Sequence, residues 1–217
     1  MTRSETIAVE GVCCAGKTTL VQRLSADLRT GVIPELPAFG RNLFQAFDTK
    51  EGIIHNGQLS IAMEGVRMVS ALGLSRLCSR VILDRSILST IAVNYGVVDI
   101  IGKSAFLDIA NNALFKIGEE ELPVPDKTLY LAVDGEAVEK RNETRVPRLD
   151  DYWTNRGRVE RQNEFYQALT DLNGFAYIDG DRDILEVLTD SRDFALSEQR
   201  ISVDALVTTI ETFVKHV

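Results

Sequence analysis

Histidine is nearly absent from this sequence: His55 and His216 are the two in 217 residues. A histidine-built zinc site or a Ser-His-Asp triad has little material to work with. Cysteine is scarce too. Three thiols, Cys13, Cys14 and Cys78, leave one over from any pairing, which argues against a disulfide framework and fits a reducing cytoplasm. No apolar run is long enough to span a bilayer, and the stretch before the first glycine motif is too short for a signal peptide. A cytoplasmic protein with no membrane partner is expected. Positive charge is in deficit, with 24 Lys and Arg against 32 Asp and Glu and a net charge of −8. Such a chain has no general attraction for nucleic acid, although one focused basic site can still hold a small anion.

Hydrophobic residues make up 45% of the chain, enough for a real core. Short apolar runs alternate with helix-period segments from end to end. The runs are "ETIAVE" (5–10), "VIPEL" (32–36), "RVILD" (80–84), "KTLYLAV" (127–133) and "FAYIDG" (175–180). Helical patterns fall at 17–29 (stopped by Gly31), 57–78, 86–96, 104–118, much of 134–168 with a break near Pro147, and 203–216. This order predicts an α/β fold: a three-layer α/β/α arrangement on a five-stranded parallel sheet, one domain over 1–217. Segment 189–202 has no place in that pattern.

"GVCCAGKT" carries the chemistry. Gly11, four residues on Gly16, then Lys17 and Thr18 match the phosphate-loop pattern G-x-x-x-x-G-K-[ST]. Its backbone N–H groups must point inward at phosphate oxygens, and glycine permits the required dihedrals and close approach. The following helix aims its N-terminal dipole at the same anion. Gly11, Val12, Cys13, Cys14, Ala15, Gly16, Lys17, Thr18 and Thr19 are therefore expected to hold ATP. Lys17 reaches the β- and γ-phosphates, and Thr18 places its hydroxyl on Mg²⁺. Cys13 and Cys14 read as small uncharged spacers. A helix N-terminus beside Lys17 favours thiolate, so either exposed sulfur is expected to be reactive and protected by ATP.

"VILDRS" ends a buried strand in Asp84 and Arg85. Ligands of open parallel sheets collect at the carboxyl ends of strands. Asp84 is thus a candidate to help Thr18 hold Mg²⁺. Arg85 is a candidate to hold an acceptor's phosphate or reacting oxygen.

"ILDRSILSTIAVN" (82–94) resembles the signature of thymidylate kinases, with Val93 where that family carries Phe or Tyr. "VEGVCCAGKTT" resembles the family's Glu-Gly opening of its phosphate loop, and "YLAVDGEAVEKRNETR" its fourth strand and the start of its lid. The wider group includes deoxynucleoside kinases, whose Pro-Glu-Pro segment "VIPELP" (32–37) resembles. That resemblance implies that Glu35 is a general base for an attacking hydroxyl. It also places Arg67 at an arginine of the long third helix, and Met63 where thymidylate kinases carry a base-stacking Phe. Glu35, Arg41, Met63, Arg67, Arg85 and Asn94 are the acceptor-side candidates; Arg41 follows the second strand's loop and reads either as a phosphate-binding residue or as a solvent-facing arginine. The resemblance also implies that the protein can be a homodimer. Phe39 and Phe44 read either as core or as a stacking surface. Asp179–Asp183 fall where this class of fold contacts adenine.

Phosphoryl transfer needs cationic stabilisation of the moving group. The loop's variable residues Val12, Cys13, Cys14 and Ala15 supply none, so the extra charge must come from elsewhere, and the resemblance implies a lid, about 141–161, as its source. That stretch holds Arg141, Arg145, Arg148, Arg156, Arg158 and Arg161. Arg141 and Arg145 lie one helical turn apart and are the catalytic candidates, with Arg148 third. Glu139, Glu143, Asp150, Asp151 and Glu160 can pair with the others.

These residues point to an ATP- and Mg²⁺-dependent kinase of a nucleoside monophosphate. One alternative is a kinase of a free nucleoside or another small hydroxyl acceptor with Glu35 as base. A nucleotide-hydrolysing switch is a further reading, against which the arginine-rich lid and the Asp-Arg-Ser signature argue.

Overall fold

A computed structural model describes residues 4–47 and 49–217, with Phe39 described by its backbone alone. The Phe39 ring, a candidate stacking group, lies outside the described residues. Five strands form one parallel sheet: β1 (Glu5–Glu10), β2 (Gly31–Ile33), β3 (Arg80–Asp84), β4 (Lys127–Ala132) and β5 (Phe175–Asp179). Their spatial order is β2-β3-β1-β4-β5. The connection from β1 leaves toward β2 on one side and that from β3 toward β4 on the other, so the neighbouring carboxyl ends of β1 and β3 flank the point where the crossovers diverge. Val9 pairs with Asp84 at that end.

Both faces of the sheet are apolar, as parallel sheets require. Ile7, Val9, Leu129 and Leu131 pack with Leu20, Val21 and Leu24 of α1 (Lys17–Leu28) and with Val187 and Ala195 of a C-terminal helix. Tyr130 and Ala132 point the other way, into a cluster built by α4 (Ile87–Gly96), α6 (Lys103–Gly118), α9 (Arg156–Gln167) and α11 (Val203–His216). α3 (Lys50–Leu74) packs Ala71, Met68 and Leu74 on the β2–β3 edge, against Ile33, Val81 and Leu83. The alternation of sides along β4 is the period-2 pleat seen from within a three-layer stack.

Several boundaries differ from the sequence reading. Gly31 does not stop α1. Arg29 does so in a left-handed conformation (φ 53°), and Gly31 opens β2. β2 ends at Ile33 because Pro34 has no N–H to give to a ladder. α3 begins at Lys50, a turn and more before the expected 57, capped by Thr49, whose hydroxyl accepts from the Gly52 N–H at 3.1 Å. That first turn is rich in Gly, His and Asn and hides the helical period.

Segment 184–196 is a helix, α10 (Ile184–Leu196), laid on α1 with Arg192 bonded to Asp27 at 3.0 Å. Lys127, fully buried on β4, donates to the carbonyls of Ala195 and Ser197 and pairs with Glu5 at 2.9 Å. That buried ammonium ties the end of α10 to the sheet, and the Ile201 N–H donates to the Asp126 carbonyl at 2.8 Å. The segment without a place in the pattern is therefore part of the frame. The short helices α2 (Pro37–Gly40), α5 (Val98–Ile101), α7 (Gly135–Glu143) and α8 (Asp151–Thr154) complete the chain. The break near Pro147 falls between α7 and α8 as expected. Among the described residues no helix is long and apolar enough to cross a membrane.

Candidate active site

β1 delivers the chain into a loop whose glycines have no substitutes. Gly11 sits at φ 152°, and a Cβ there would lie 2.8 Å from the Leu131 carbonyl. Gly16 sits at φ 98° directly before α1. Cys14 adopts φ 62° without being glycine. The loop curls so tightly that Lys17 Nζ donates to the Val12 carbonyl at 2.8 Å. Burial, and after it the neighbouring Arg85, push Lys17 down to about 8. A cation held this unfavourably gains most when an anion arrives beside it.

Asp84 lies at the end of β3 beside this lysine. Burial raises its carboxyl above the usual range, and Lys17 opposes the shift. Its Oδ1 is buried without a hydrogen-bond partner. An orphaned, buried carboxylate oxygen near the phosphate loop fits a Mg²⁺ ligand, direct or through water. Among the described residues no group of three or more His, Cys, Asp and Glu converges as a self-contained metal cage. Mg²⁺ bound through substrate phosphates needs only one or two protein oxygens.

Arg85 leaves the strand in a left-handed conformation, φ 69°, an uncommon geometry for a side chain of its size. Its Nε donates to Glu35 Oε2 at 3.0 Å, its Nη1 to Ser89 Oγ at 3.2 Å, and its Nη2 to Cys13 Sγ at 3.8 Å. Burial disfavours its charge, but Cys13, Glu35 and Glu10 outweigh burial and hold it above its ordinary value. Behind it, Arg67 of α3 is 1% exposed, paired with Glu64 at 2.8 Å. Arg67 Nη2 donates to the carbonyls of both Asp84 and Arg85 at 3.0 Å. Arg67 thus fixes the end of β3.

The sequence reading placed Glu10 in the Glu-Gly opening of the loop and gave it no role. It is fully buried at the end of β1. Its Oε1 accepts from the Ser86 N–H at 2.7 Å and hydroxyl at 2.6 Å; its Oε2 accepts from the Ser89 hydroxyl and from the Tyr166 hydroxyl at 2.9 Å. These partners lie 76, 79 and 156 positions away, beyond any local pattern. The one local signal was an acid closing a buried apolar strand.

A cavity and the 141–161 segment complete the site. A cavity of about 860 Å³ runs from Thr18, Thr19 and Arg141 past Lys17, Glu35 and Arg85 to Asn94, Gly57 and Ser60. Arg41, an exposed residue, stands on its wall. Asn94 faces it with its amide donating to the Thr90 carbonyl at 2.7 Å. Phe44 lines it as well, so that ring faces the cavity. Phe47, Tyr152 and Trp153 meet at 4.8–5.0 Å between ring centres and join the 141–161 segment to the cavity rim. That aromatic clasp was not anticipated.

Met63 is a correction. It is buried and does not line the cavity; its methyl packs against Gly40, 3.1 Å from where a Cβ would stand. Of the six arginines, Arg141 and Arg145 alone line the cavity. Arg141 bridges the loop and the turn after β5, donating to Cys14 O at 3.3 Å, Ala15 O at 3.1 Å and Gly180 O at 2.9 Å. It also pairs with Asp181 at 2.8 Å, which brings the 179–183 segment to the phosphate loop. Arg145 faces Cys14. Arg148 does not line the cavity and donates to the Glu143 carbonyl at 3.2 Å. Arg156 pairs with Glu136 and Glu139, Arg158 lies over the Tyr152 ring at 5.0 Å, and Arg161 pairs with Asp99 at 2.7 Å. The expectation of thiolate at both cysteines fails for Cys14. Burial, and then Cys13, raise its thiol, and Arg145 only partly offsets this.

A phosphate loop at the end of β1, a strand order of 2-3-1-4-5 and two arginines overhanging the cavity define a phosphate-loop kinase fold. Solved structures make the class narrower. Deoxyadenosine kinase from M. mycoides with bound dATP is 20% identical, with a TM-score of 0.66 over 89% of this chain and 100% of its own. The same enzyme with dCMP and a flexible dCDP is 19% identical, with a TM-score of 0.67 over 87% of this chain and 97% of its own. Thymidylate kinase from Candida albicans is 20% identical, with a TM-score of 0.64 over 88% of this chain and 90% of its own. This chain has the fold of the deoxynucleoside and thymidylate kinase group. No protein-family model matches it, and no curated protein sequence does.

Proposed function

We propose that this protein is an ATP- and Mg²⁺-dependent kinase that phosphorylates a hydroxyl of a nucleoside. The observation that carries this reading is the Glu35–Arg85 pair on the cavity wall. A hydroxyl acceptor needs a base where its proton leaves, and Glu35 offers a carboxylate there. A doubly charged phosphate acceptor needs uncompensated cations instead. Arg85 is already matched by Glu35, and Arg67 by Glu64.

In this reading the loop's backbone N–H groups and Lys17 hold the ATP phosphates. Thr18 and Asp84 would hold Mg²⁺, which when bound neutralises charge on the transferred phosphoryl group. Glu35 accepts the hydroxyl proton, and Arg85 keeps that carboxylate aimed at the acceptor. Arg145, from the segment acting as lid, stabilises the charge that spreads over the phosphoryl oxygens. Arg141 orders the loop and the turn that would meet adenine.

A second reading, transfer to a nucleoside monophosphate, draws support from Arg41, an exposed residue on the same wall. An acceptor panel separates the two. Nucleosides, nucleoside monophosphates and simple alcohols are offered with ATP and Mg²⁺, and ADP release is measured. Turnover with nucleosides supports the first reading. Turnover with monophosphates alone supports the second. ADP release that needs no acceptor defeats both and favours a hydrolytic switch.

We also propose that two copies associate through α3. Val66, Val69 and Leu72 are 58%, 70% and 63% exposed, on one uncharged face with Ala62 and Gly73. Small residues let a helix approach its own copy closely about a two-fold axis. Val69→Asp should convert a dimer to a monomer in light scattering; a monomeric parent protein would contradict this.

A further inference from the structure

Arg85 has three side-chain partners, and Ser89, which lines the cavity beside it, is the best anchored. Ser89 Oγ accepts from Arg85 Nη1 and gives its own proton to Glu10 Oε2. Glu10 cannot move: both oxygens are saturated by four donors from the turn after β3, α4 and α9. Tyr166 supplies the donor from α9. Its ring stacks on Tyr130 of β4 at 4.0 Å between centres. Burial, with Glu10 next, raises the Tyr166 hydroxyl well above its usual range, so it stays a donor.

The hydrogen bonds run in one direction, from Tyr166 and Ser89 onto Glu10, and from Arg85 onto Ser89 and Glu35. A left-handed arginine is a strained choice that persists only where its surroundings enforce it. Here Arg67 holds its carbonyl, and Ser89, itself anchored on Glu10, holds its guanidinium. We propose that Ser89 is a positioning residue that fixes Arg85 for phosphoryl transfer, with Glu10 holding Ser89 and Tyr166 holding Glu10 in turn. The relay also reaches α9, whose first residues belong to the lid segment, so displacement of α9 would be felt at Arg85.

The role of Arg85 rests on the proposed transfer reaction, and the test keeps the two claims apart. Ser89→Ala, Ser89→Thr, Tyr166→Phe and Glu35→Gln are made in the full chain. Each is assayed with ATP and Mg²⁺ against the four deoxynucleosides and, separately, against their monophosphates. Which acceptor set turns over decides the proposed function, and the Ser89 variants decide the inference. Loss of alignment by about 1 Å costs up to a hundredfold, so Ser89→Ala should lower kcat by about ten- to a hundredfold. KM for ATP should stay within about twofold of the parent, because the relay does not touch the phosphate loop's own donors. Ser89→Thr keeps the hydroxyl and should recover most of the kcat. Tyr166→Phe keeps the ring stack, removes one of Glu10's donors, and should lower kcat by a few-fold at unchanged KM.

A purely structural role would instead lower the melting temperature and the fraction of active protein, leaving kcat per active site unchanged. That result overturns the proposal. So does failure of the threonine to restore kcat in a folded Ser89→Thr protein. If Ser89→Ala does not fold, the Tyr166→Phe kcat per active site decides alone.

Discussion

Arg85 Nε lies 3.0 Å from Glu35 Oε2, joining the carboxyl end of β3 to the residue two past β2. Glu35 is the more exposed partner, its side chain 47% accessible against 15% for Arg85. A pair with one partner open to solvent contributes little to stability. A half-buried guanidinium presenting a carboxylate to a cavity serves orientation better than it serves folding. Glu35→Gln should therefore leave the melting temperature nearly unchanged. It should lower kcat with a hydroxyl acceptor by about a hundredfold or more, the scale of a lost general base. Steady-state kinetics beside a thermal melt checks both halves.

Arg145 is the lid arginine that overhangs the loop without being committed to its carbonyls. Arg145→Ala is expected to lower turnover by about a hundredfold with little change in ATP affinity. Arg141→Ala should behave differently, because Arg141 bridges the loop and the 180–181 turn. Its loss should weaken ATP binding first. Titration calorimetry with a non-hydrolysable ATP analogue, beside kcat, distinguishes the two.

Lys17 makes the ligand-free protein pH-sensitive in a defined window. Its pKa is about 8 when folded against an ordinary 10.5, with Arg85, Cys13, Glu35 and Asp84 facing it. Between these values the unfolded chain binds more protons than the folded one, so this group makes stability rise with pH. Below pH 8 it is charged in both states and its buried charge is a constant cost. The difference in unfolding free energy between the parent and Lys17→Met should climb from pH 8 to 10.5. ATP affinity should fall above pH 8, since binding must then restore the proton. A flat difference would contradict the burial argument.

The two loop cysteines should not react alike. Both line the cavity, but Cys13 has Arg85 Nη2 at 3.8 Å, whereas burial raises the Cys14 thiol. A thiol reagent should inactivate the enzyme chiefly through Cys13, and ATP should protect it. Peptide mass mapping of the first-modified residue checks this; labelling of Cys14 first would reverse the assignment.

Much of this site was legible in sequence because its backbone demands are local. The spacing from Gly11 to Thr18 and the Asp84-Arg85 pair at a strand end are each written within a few residues. Helix boundaries were less so: α3 begins in a Gly-, His- and Asn-rich turn, and α10 follows a polar turn that masks its apolar face. Glu10 was hidden for a different reason. An acid at the end of a buried strand has no local sign of the distant Ser86, Ser89 and Tyr166 that saturate it. Met63 shows the limit of carrying a position across from a family, because the methyl that could have met a base packs on Gly40 instead. The Phe47–Tyr152–Trp153 clasp joins segments about a hundred residues apart, and no period in either segment announces it.

The bond formed in the product tests the central claim most directly. The protein is incubated with ATP, Mg²⁺ and a deoxynucleoside panel, and the products are read by ³¹P NMR. A new phosphate monoester on the sugar, lost with Glu35→Gln, is the predicted result. A new phosphoanhydride formed only when monophosphates are supplied, or a monoester made equally well by Glu35→Gln, would contradict it.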